Sequence, residues 1–313
     1  MDDNAQNDLL AARKSFGKIV RSLRTDQIDE NLRGWTQAKL AQETGLSEAV
    51  VRNIEAGKKA KLPEDILLAL ADAFNLTSAE RKQFFMAAID VERHKVPQAS
   101  STPEETLQHL YSYIAGTRLP AYINDSYCDV IYANRIIADL LRMEELETTG
   151  STIPAGYNMG RVVFHDQYGY RQLMGDDWDR HAVYNVRYFR ERTLASRHEE
   201  YFEELLKYLI RKVLHFRAYW QGLQSGEEKY LSADYFSGHL AYDYEHPGLG
   251  RLQYMATETV TITSLGALST VIYVPKDEHT TQEFENIAER VGTEFIELAS
   301  WPDKTSLLKQ LRG

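Results

Sequence analysis

Residues 37–55 read QAKLAQETGLSEAVVRNIE, and this run decides how the first part of the chain folds. It predicts two short helices around a tight turn. Thr36 can cap the first helix, whose Leu40 and Ala41 share one side. Gly45 falls where the chain must reverse, and a backbone with φ above zero suits glycine best. Ser47 is placed to cap the second helix, with Val50, Val51 and Ile54 on its inner stripe. Ala41 is small where two helices must touch, whereas Val51 and Ile54 are large enough to fill a wedge. These offsets predict a helix-turn-helix whose second helix is offered to the major groove of DNA, against an ordinary helical hairpin as the competing reading.

The flanks extend the helical pattern on both sides. Leu9, Leu10, Phe16, Ile19, Val20 and Leu23 repeat at helical spacing ahead of the pair, and a polar loop, Asp26 to Gly34, separates them from it. Behind it come Lys58, Lys59 and Lys61, and then Leu62-Pro63 opening a helix with Ile66, Leu67, Leu70, Ala71 and Phe74 on its stripe. Thr77 is placed to cap a fifth helix, Ser78 to Val91, with Glu80 as its capping-box partner. An all-α, five-helix domain over residues 1–95 is expected.

Charge is distributed unevenly between the two ends. The 313 residues carry a formal net charge of −10, yet residues 11–62 hold eleven basic against six acidic side chains. Residues 1–95 balance at fifteen of each, so the whole acidic excess belongs to the rest. A locally basic module on an acidic body suits a protein that meets phosphate with one end. Cys128 is the single cysteine, which rules out an intrachain disulfide and a Cys-rich zinc site; it reads as a small buried hydrophobe. The chain opens without a signal sequence, and no apolar run approaches the roughly 20 residues of a membrane span. The expectation is a cytoplasmic protein with no membrane partner.

A polar linker, residues 96–103, is the natural boundary, and a second domain over residues 104–313 is expected beyond it. Its helix Glu104 to Ile114 is followed by two short strands, LPAYIND and YCDVIYAN, with Asn124-Asp125 near the turn. Asn134 then caps a helix ending at Leu141. Phe202, Leu205, Leu206, Leu209, Val213, Phe216 and Trp220 form the stripe of one long helix, Glu199 to Gln221, and read as core. The last third turns to β over Tyr235 to Glu245, Gly250 to Thr263 and Leu268 to Val274. With the first hairpin these make a five-stranded antiparallel sheet with helices on one face, a PAS-like α+β domain. Thr281 to Trp301 is expected as a final helix before a basic, leucine-bearing tail.

Signals for catalysis are lacking. His198-Glu199 opens like a zincin helix but puts Phe202 where the second His is needed. There is no P-loop, no G-x-S-x-G elbow and no dinucleotide fingerprint around Gly156 to Gly160. No nucleophile–base or metal set can be assembled, so neither an enzyme nor a resident cofactor is expected.

The N-terminal domain resembles that of XRE-family regulators, a lambda-repressor-like fold. The resemblance is carried by TQAKLAQETGLSEAVVRNIEAG at 36–57 and LPEDILLALADAFNLTSAERKQF at 62–84. It implies that Gln37 touches the DNA backbone and that base contacts come from the head of the second helix, Glu48, Ala49, Arg52 and Asn53, with Ser47 also among the DNA-binding residues. Asn suits adenine, Arg guanine and Ala49 a thymine methyl, while Glu48 either accepts from cytosine N4 or is a first-turn acid favoured by the helix dipole. Lys58, Lys59 and Lys61 read as phosphate contacts or as a solvated charge run; Glu55 is expected to pair inside the domain.

From about Thr106 to Lys276 the chain resembles the MmyB-like ligand-binding domain, a PAS-like module found behind XRE-type domains. The carrying features are LPAYINDSYCDVIYAN, Asn158-Met159-Gly160-Arg161 with Phe164, Asp177-Trp178, Arg187, and HPGLGRLQY at His246 to Tyr254. The stretch from Trp220 to His246 is long for that family, and a helix follows the last strand. The resemblance implies a one-component regulator: a homodimer on a double-stranded, pseudo-palindromic operator, governed by a small-molecule effector. The aromatic content suits a fatty acid or similar amphipathic acid. Arg161 and Arg187 either clamp its carboxylate or are surface ion-pair partners, and Asn158, Tyr219, His246 and Tyr254 are the candidate lining. The alternative is a C-terminal domain that binds another protein and holds no small ligand.

Overall fold

In a computed structural model of the chain, residues 3–59, 62–89, 102–142, 157–227, 240–263 and 265–312 are described. The chain divides into two compact units, and the division is discontinuous. Met1–Pro97, Arg190–Glu203 and Trp220–Leu231 make the first; Gln98–Phe189, Glu204–Tyr219 and Ser232–Gly313 make the second. Two stretches from inside the expected second domain therefore cluster with the first unit. The linker expected at 96–103 lies almost wholly outside the described residues.

Among the described residues up to Ile89, the first unit has five helices: α1 (Asp3–Asp26), α2 (Gln37–Thr44), α3 (Glu48–Glu55), α4 (Glu64–Ala73) and α5 (Ser78–Ile89). Thr36 caps α2 by accepting from the Lys39 amide, and Ser47 caps α3 by accepting from the Val50 amide. Between them Gly45 sits at φ 69°, the left-handed corner the reversal requires. Leu40 and Ala41 of α2 and Val51 and Ile54 of α3 are buried with Phe16, Ile19, Val20 and Leu23 of α1. Gly17 lets α1 approach the end of α3 closely: a Cβ there would lie 2.5 Å from the Glu55 carbonyl oxygen. Ile66, Leu67, Leu70, Ala71 and Phe74 close the core from α4, and Phe84 of α5 packs 5.0 Å from Phe16. The Thr77–Glu80 capping box forms as expected, with both reciprocal bonds present.

Leu194 joins this same core. Beside it, Glu80 is fully buried and accepts from Arg190 Nε and Arg197 Nη2, both at 2.9 Å. Arg190 also donates to the Phe74 and Asn75 carbonyls at the end of α4, 2.8 and 2.9 Å away. Trp220 and Gln224 donate to the Asp26 carbonyl at the end of α1, and Asn75 donates to the Gln224 carbonyl at 2.8 Å. Orphan carbonyls at two helix C-termini are thus satisfied by residues more than a hundred positions later in the chain.

The second unit is built on a fully antiparallel sheet ordered β3-β4-β5-β1-β2-β6. The strands are β1 (Ala121–Asn124), β2 (Val130–Asn134), β3 (Leu240–His246), β4 (Gly250–Thr263), β5 (Gly266–Pro275) and β6 (Phe295–Glu297). The first hairpin, its turn at Asp125–Cys128 and the Asn134-capped helix α6 (Arg135–Leu140) follow the sequence expectation, and Cys128 is buried. The part of the expected Tyr235 to Glu245 strand before Leu240 lies outside the described residues.

Three expectations change. The sheet has six strands rather than five, because the expected Thr281 to Trp301 helix is shorter. It spans Glu278–Val291 and stops at Gly292, φ 84°. The aromatic and β-branched Phe295-Ile296 that follows pairs with β2, Phe295 opposite Asn134 and Glu297 opposite Tyr132. The long Glu199 to Gln221 helix is two helices, Glu200–Lys212 and Leu214–Gln224. Finally, all four β1 residues are buried, so both sides of the sheet are covered there, not one.

Candidate functional site

On α3, Glu48, Ala49, Arg52 and Asn53 are exposed, while Val51 and Ile54 point into the core. Positions 48, 49, 52 and 53 share one face of a helix. Glu48 and Arg52 pair at 3.2 Å with both side chains at least half exposed, an interaction worth under about 1 kcal/mol and readily given up to a base edge. Ser47 is exposed, with its oxygen engaged by the Val50 amide.

The support beneath this face is ionic. Glu55 is nearly buried as a side chain; it takes Arg24 Nε at 2.6 Å and Nη2 at 3.1 Å, and Gln37 Nε2 at 2.8 Å. Glu55 therefore pairs inside the domain, as expected, and holds Gln37 at the start of α2. Arg24, which also donates to the Trp35 carbonyl, was not legible beforehand: it lies 31 positions from its partner with no spacing signal. Lys58 is exposed and Lys59 half-buried; Lys61 lies outside the described residues.

The second unit's sheet carries a cluster of phenols. Register places Tyr242 opposite Tyr254, and Tyr254 stacks on Tyr273 at 4.8 Å and on Tyr242 at 4.5 Å. Burial pushes the hydroxyls of Tyr122, Tyr170, Tyr242 and Tyr254 well above the ordinary phenol range and that of Tyr273 up to about 12, so the cluster is neutral. Over it lies a cavity of about 40 Å³, floored by Tyr122, Tyr242, Ala256, Glu258 and Val271 and walled by Met159, Tyr184, Asn185 and Tyr188. The larger depression, about 570 Å³, is an open groove of the first unit between α1 and α5, bounded by Leu194 and Ala195.

None of the six ligand candidates named from sequence is among the lining of the 40 Å³ cavity. Asn158 caps the Met159–Phe164 helix through the Gly160 amide and donates to the Tyr127 carbonyl and to Asp129, each at 2.9 Å. It is adjacent in sequence to Met159, which does line the cavity. Arg161 and Arg187 are both buried, which corrects the reading of either as a surface ion-pair partner. Arg161 lies 5.9 Å from the Tyr208 ring. The Tyr219 hydroxyl donates to Asp179 at 2.5 Å, and its ring packs on Phe164 and Trp178. One His246 ring nitrogen lies 3.3 Å from the Leu140 carbonyl and the other accepts from the Gly248 amide; burial lowers its pKa. Tyr254 lies between Tyr242 and Tyr273 in the ring stack and does not line the cavity. The actual lining was hidden because β4, β5 and the Trp178–Arg192 helix meet only in three dimensions.

Comparison with known families gives two matches. Residues 30–81 match the helix-turn-helix family, and residues 108–286 match the MmyB-like transcription regulator ligand binding domain. The chain belongs to the MmyB-like transcription regulators. No curated protein matches it. An MmyB-like regulator has a DNA-binding helix-turn-helix and a ligand-binding domain, and both are matched in this chain. Residues 190–203 and 220–231, inside the matched ligand-binding region, belong structurally to the helix-turn-helix unit. Among the described residues no His, Cys, Asp and Glu group is arranged to hold a metal ion, and no helix is long and apolar enough to cross a membrane.

Proposed function

We propose that this MmyB-like regulator is a cytoplasmic, one-component transcription factor that binds a specific operator as a homodimer and answers to a small amphipathic acid of the fatty-acid type. The observation that carries the DNA reading is the exposed row Glu48, Ala49, Arg52 and Asn53 above a fully packed underside. A domain of this size neutralises few phosphates alone, which favours two-fold pairing on half-sites about 34 Å apart. The effector reading is supported by two buried arginines and by a floor that includes the rings of Tyr122 and Tyr242.

The test starts from operators selected out of random DNA. Asn53→Ala is expected to weaken specific binding by about 1–3 kcal/mol and to relax one base position. Lys59→Ala is expected to weaken all sequences alike and lower the salt slope by about one. Equal loss on every sequence for Asn53→Ala would show that α3 does not read bases.

A second reading is favoured by one observation. A cavity of about 40 Å³ holds roughly one water, so an acyl chain enters only if the lining opens. A domain that binds another protein instead needs no opening, and Val260, Ile262 and Leu265 are exposed apolar residues of the β4–β5 hairpin. Native mass spectrometry separates the two: a bound small mass lost on denaturation supports the effector, and a clean apo mass after saturating lipid extract supports the interaction module.

A further inference from the structure

One stripe of α1 carries Lys14, Gly17, Arg21 and Arg24, since residues three, four and seven apart share a helix face. Two members of the stripe fix where it runs. Gly17 presses against the Ile54 and Glu55 carbonyls with no room for a Cβ, and Arg24 pairs with the Glu55 side chain. Just beyond α3 there is another close approach. Gly57 turns at φ 67°, and a Cβ there would stand 2.7 Å from the Lys14 amide nitrogen. The stripe therefore lies along the C-terminal end of α3, where Lys58 follows Gly57 and its amide donates to the Asn53 carbonyl.

Gly17 and Arg24 are buried in that contact, whereas Lys14, Arg21 and Lys58 are exposed. Among the described residues none of these three side chains has a hydrogen-bond or ion-pair partner. Other exposed cations of the unit sit beside acids, Lys39 with Glu43 and Arg52 with Glu48. Glu55, the acid at this end of α3, is already taken by Arg24 and Gln37. Grouped cations with no counter-charge on the protein are relieved by an anion from outside. Their neighbourhood identifies that anion. Asn53, whose carbonyl receives the Lys58 amide, belongs to the exposed row of α3. A helix seated in the major groove is flanked by the phosphates of both strands, and contacts to them set its register.

We infer that Lys14 and Arg21 of α1, together with Lys58, clamp the DNA phosphate backbone at the C-terminal end of α3. The inference rests on the DNA-binding reading above and deepens it by giving α1 a part in affinity but none in sequence choice. Because α1 and α3 are locked through Gly17 and Gly57, a phosphate held by α1 fixes the position of α3 as well.

Binding of the full chain to a selected operator is measured by fluorescence anisotropy between 50 and 200 mM salt. Each cation on a duplex phosphate adds about 0.9 to the slope of log affinity against log salt. Lys14→Ala and Arg21→Ala are each expected to lower the slope by about 0.9, so that wild type loses about three- to fourfold more affinity over this range than either variant. Arg21→Lys should keep the wild-type slope, and base preference should stay the same in every variant. Lys82→Ala removes another exposed cation of the same unit, on α5, and should leave the slope unchanged. An unchanged slope in both alanine variants overturns the inference and leaves the DNA reading standing. So does an equal fall for Lys82→Ala, which would make the effect one of overall charge, and so does a shift in base preference. A lower melting temperature with an unchanged slope would assign Lys14 and Arg21 to propping the end of α3, and the clamp fails. A wild-type chain that selects no duplex at all overturns both readings.

Discussion

Replacing Arg190 by Met tests whether the helix-turn-helix unit depends on residues from far along the chain. The Arg190 side chain is 2% exposed and makes three hydrogen bonds, one to Glu80 and two to the carbonyls ending α4. Met restores much of the apolar stem but none of these bonds. Glu80 keeps Arg197 and so is not stripped bare, yet the Phe74 and Asn75 carbonyls lose their donor. Breaking one arm of a buried ion network costs about 3–5 kcal/mol. At about 3–6 °C per kcal/mol for a unit of this size, the melting temperature should fall by about 9–30 °C. Circular dichroism of the full chain reads the fall, and hydrogen exchange at α4 and α5 amides localises it. The apolar triple variant Glu80→Leu, Arg190→Met, Arg197→Leu should recover part of the loss, since it removes the desolvation cost of these three charges while the Phe74 and Asn75 carbonyls stay without their donor. The pH profile supplies a sign. Burial alone would raise the Glu80 pKa, but Arg190, Arg197 and the Thr77 amide outweigh it and hold it below 4.5. Its contribution is therefore present above the unfolded pKa and lost as pH falls through the lower folded value, and Arg190→Met should move the acid-unfolding midpoint to higher pH. A single variant melting within about 3 °C of wild type would refute the claim that this network holds the unit together.

Asp26 gives the opposite sign: burial, opposed by Arg197 and reinforced by Glu203, raises its pKa to about 7. The folded state binds the extra proton between pH 4 and 7, so stability declines as pH rises through that window. Asp26→Asn keeps the backbone carbonyl used by Trp220 and Gln224, and should raise the melting temperature at pH 8 and leave it unchanged at pH 4. A decrease at pH 8 would show that Arg197 needs this charge. In the second unit, Lys304 lies 2.6 Å from Asp125 and 3.0 Å from Asp129, all three buried. Lys304→Met should cost about 3–5 kcal/mol at pH 8 and less at pH 5. Protonation relieves the stranded carboxylates there, as Asp125 titrates near 6 even with the lysine present. A loss independent of pH would assign Lys304 a packing role only.

The local grammar of the chain was legible throughout. Thr36, Gly45, Ser47, Thr77 and Asn134 act within three or four residues, and a cap or a left-handed corner needs nothing further away. The same reach explains the α3 face, because one-helix periodicity separates Val51 and Ile54 from Arg52 and Asn53. It also explains the first hairpin and the capped helix after it. The failures share a cause. Phe295-Ile296 reads as a helix continuation until β2 offers an unpaired edge, and the surface ion-pair alternative for Arg161 and Arg187 falls only once the fold encloses them.

By itself, then, the order of residues determined that a helix-turn-helix opens this protein and that an antiparallel sheet closes it, since both depend on short-range periodicity. Tertiary structure alone decided which side chains floor the cavity, that Gly57 abuts Lys14, and that Glu80 meets two arginines more than a hundred positions away. Those relations rest on strand register and on packing between distant segments, and neither leaves a periodic trace along the chain.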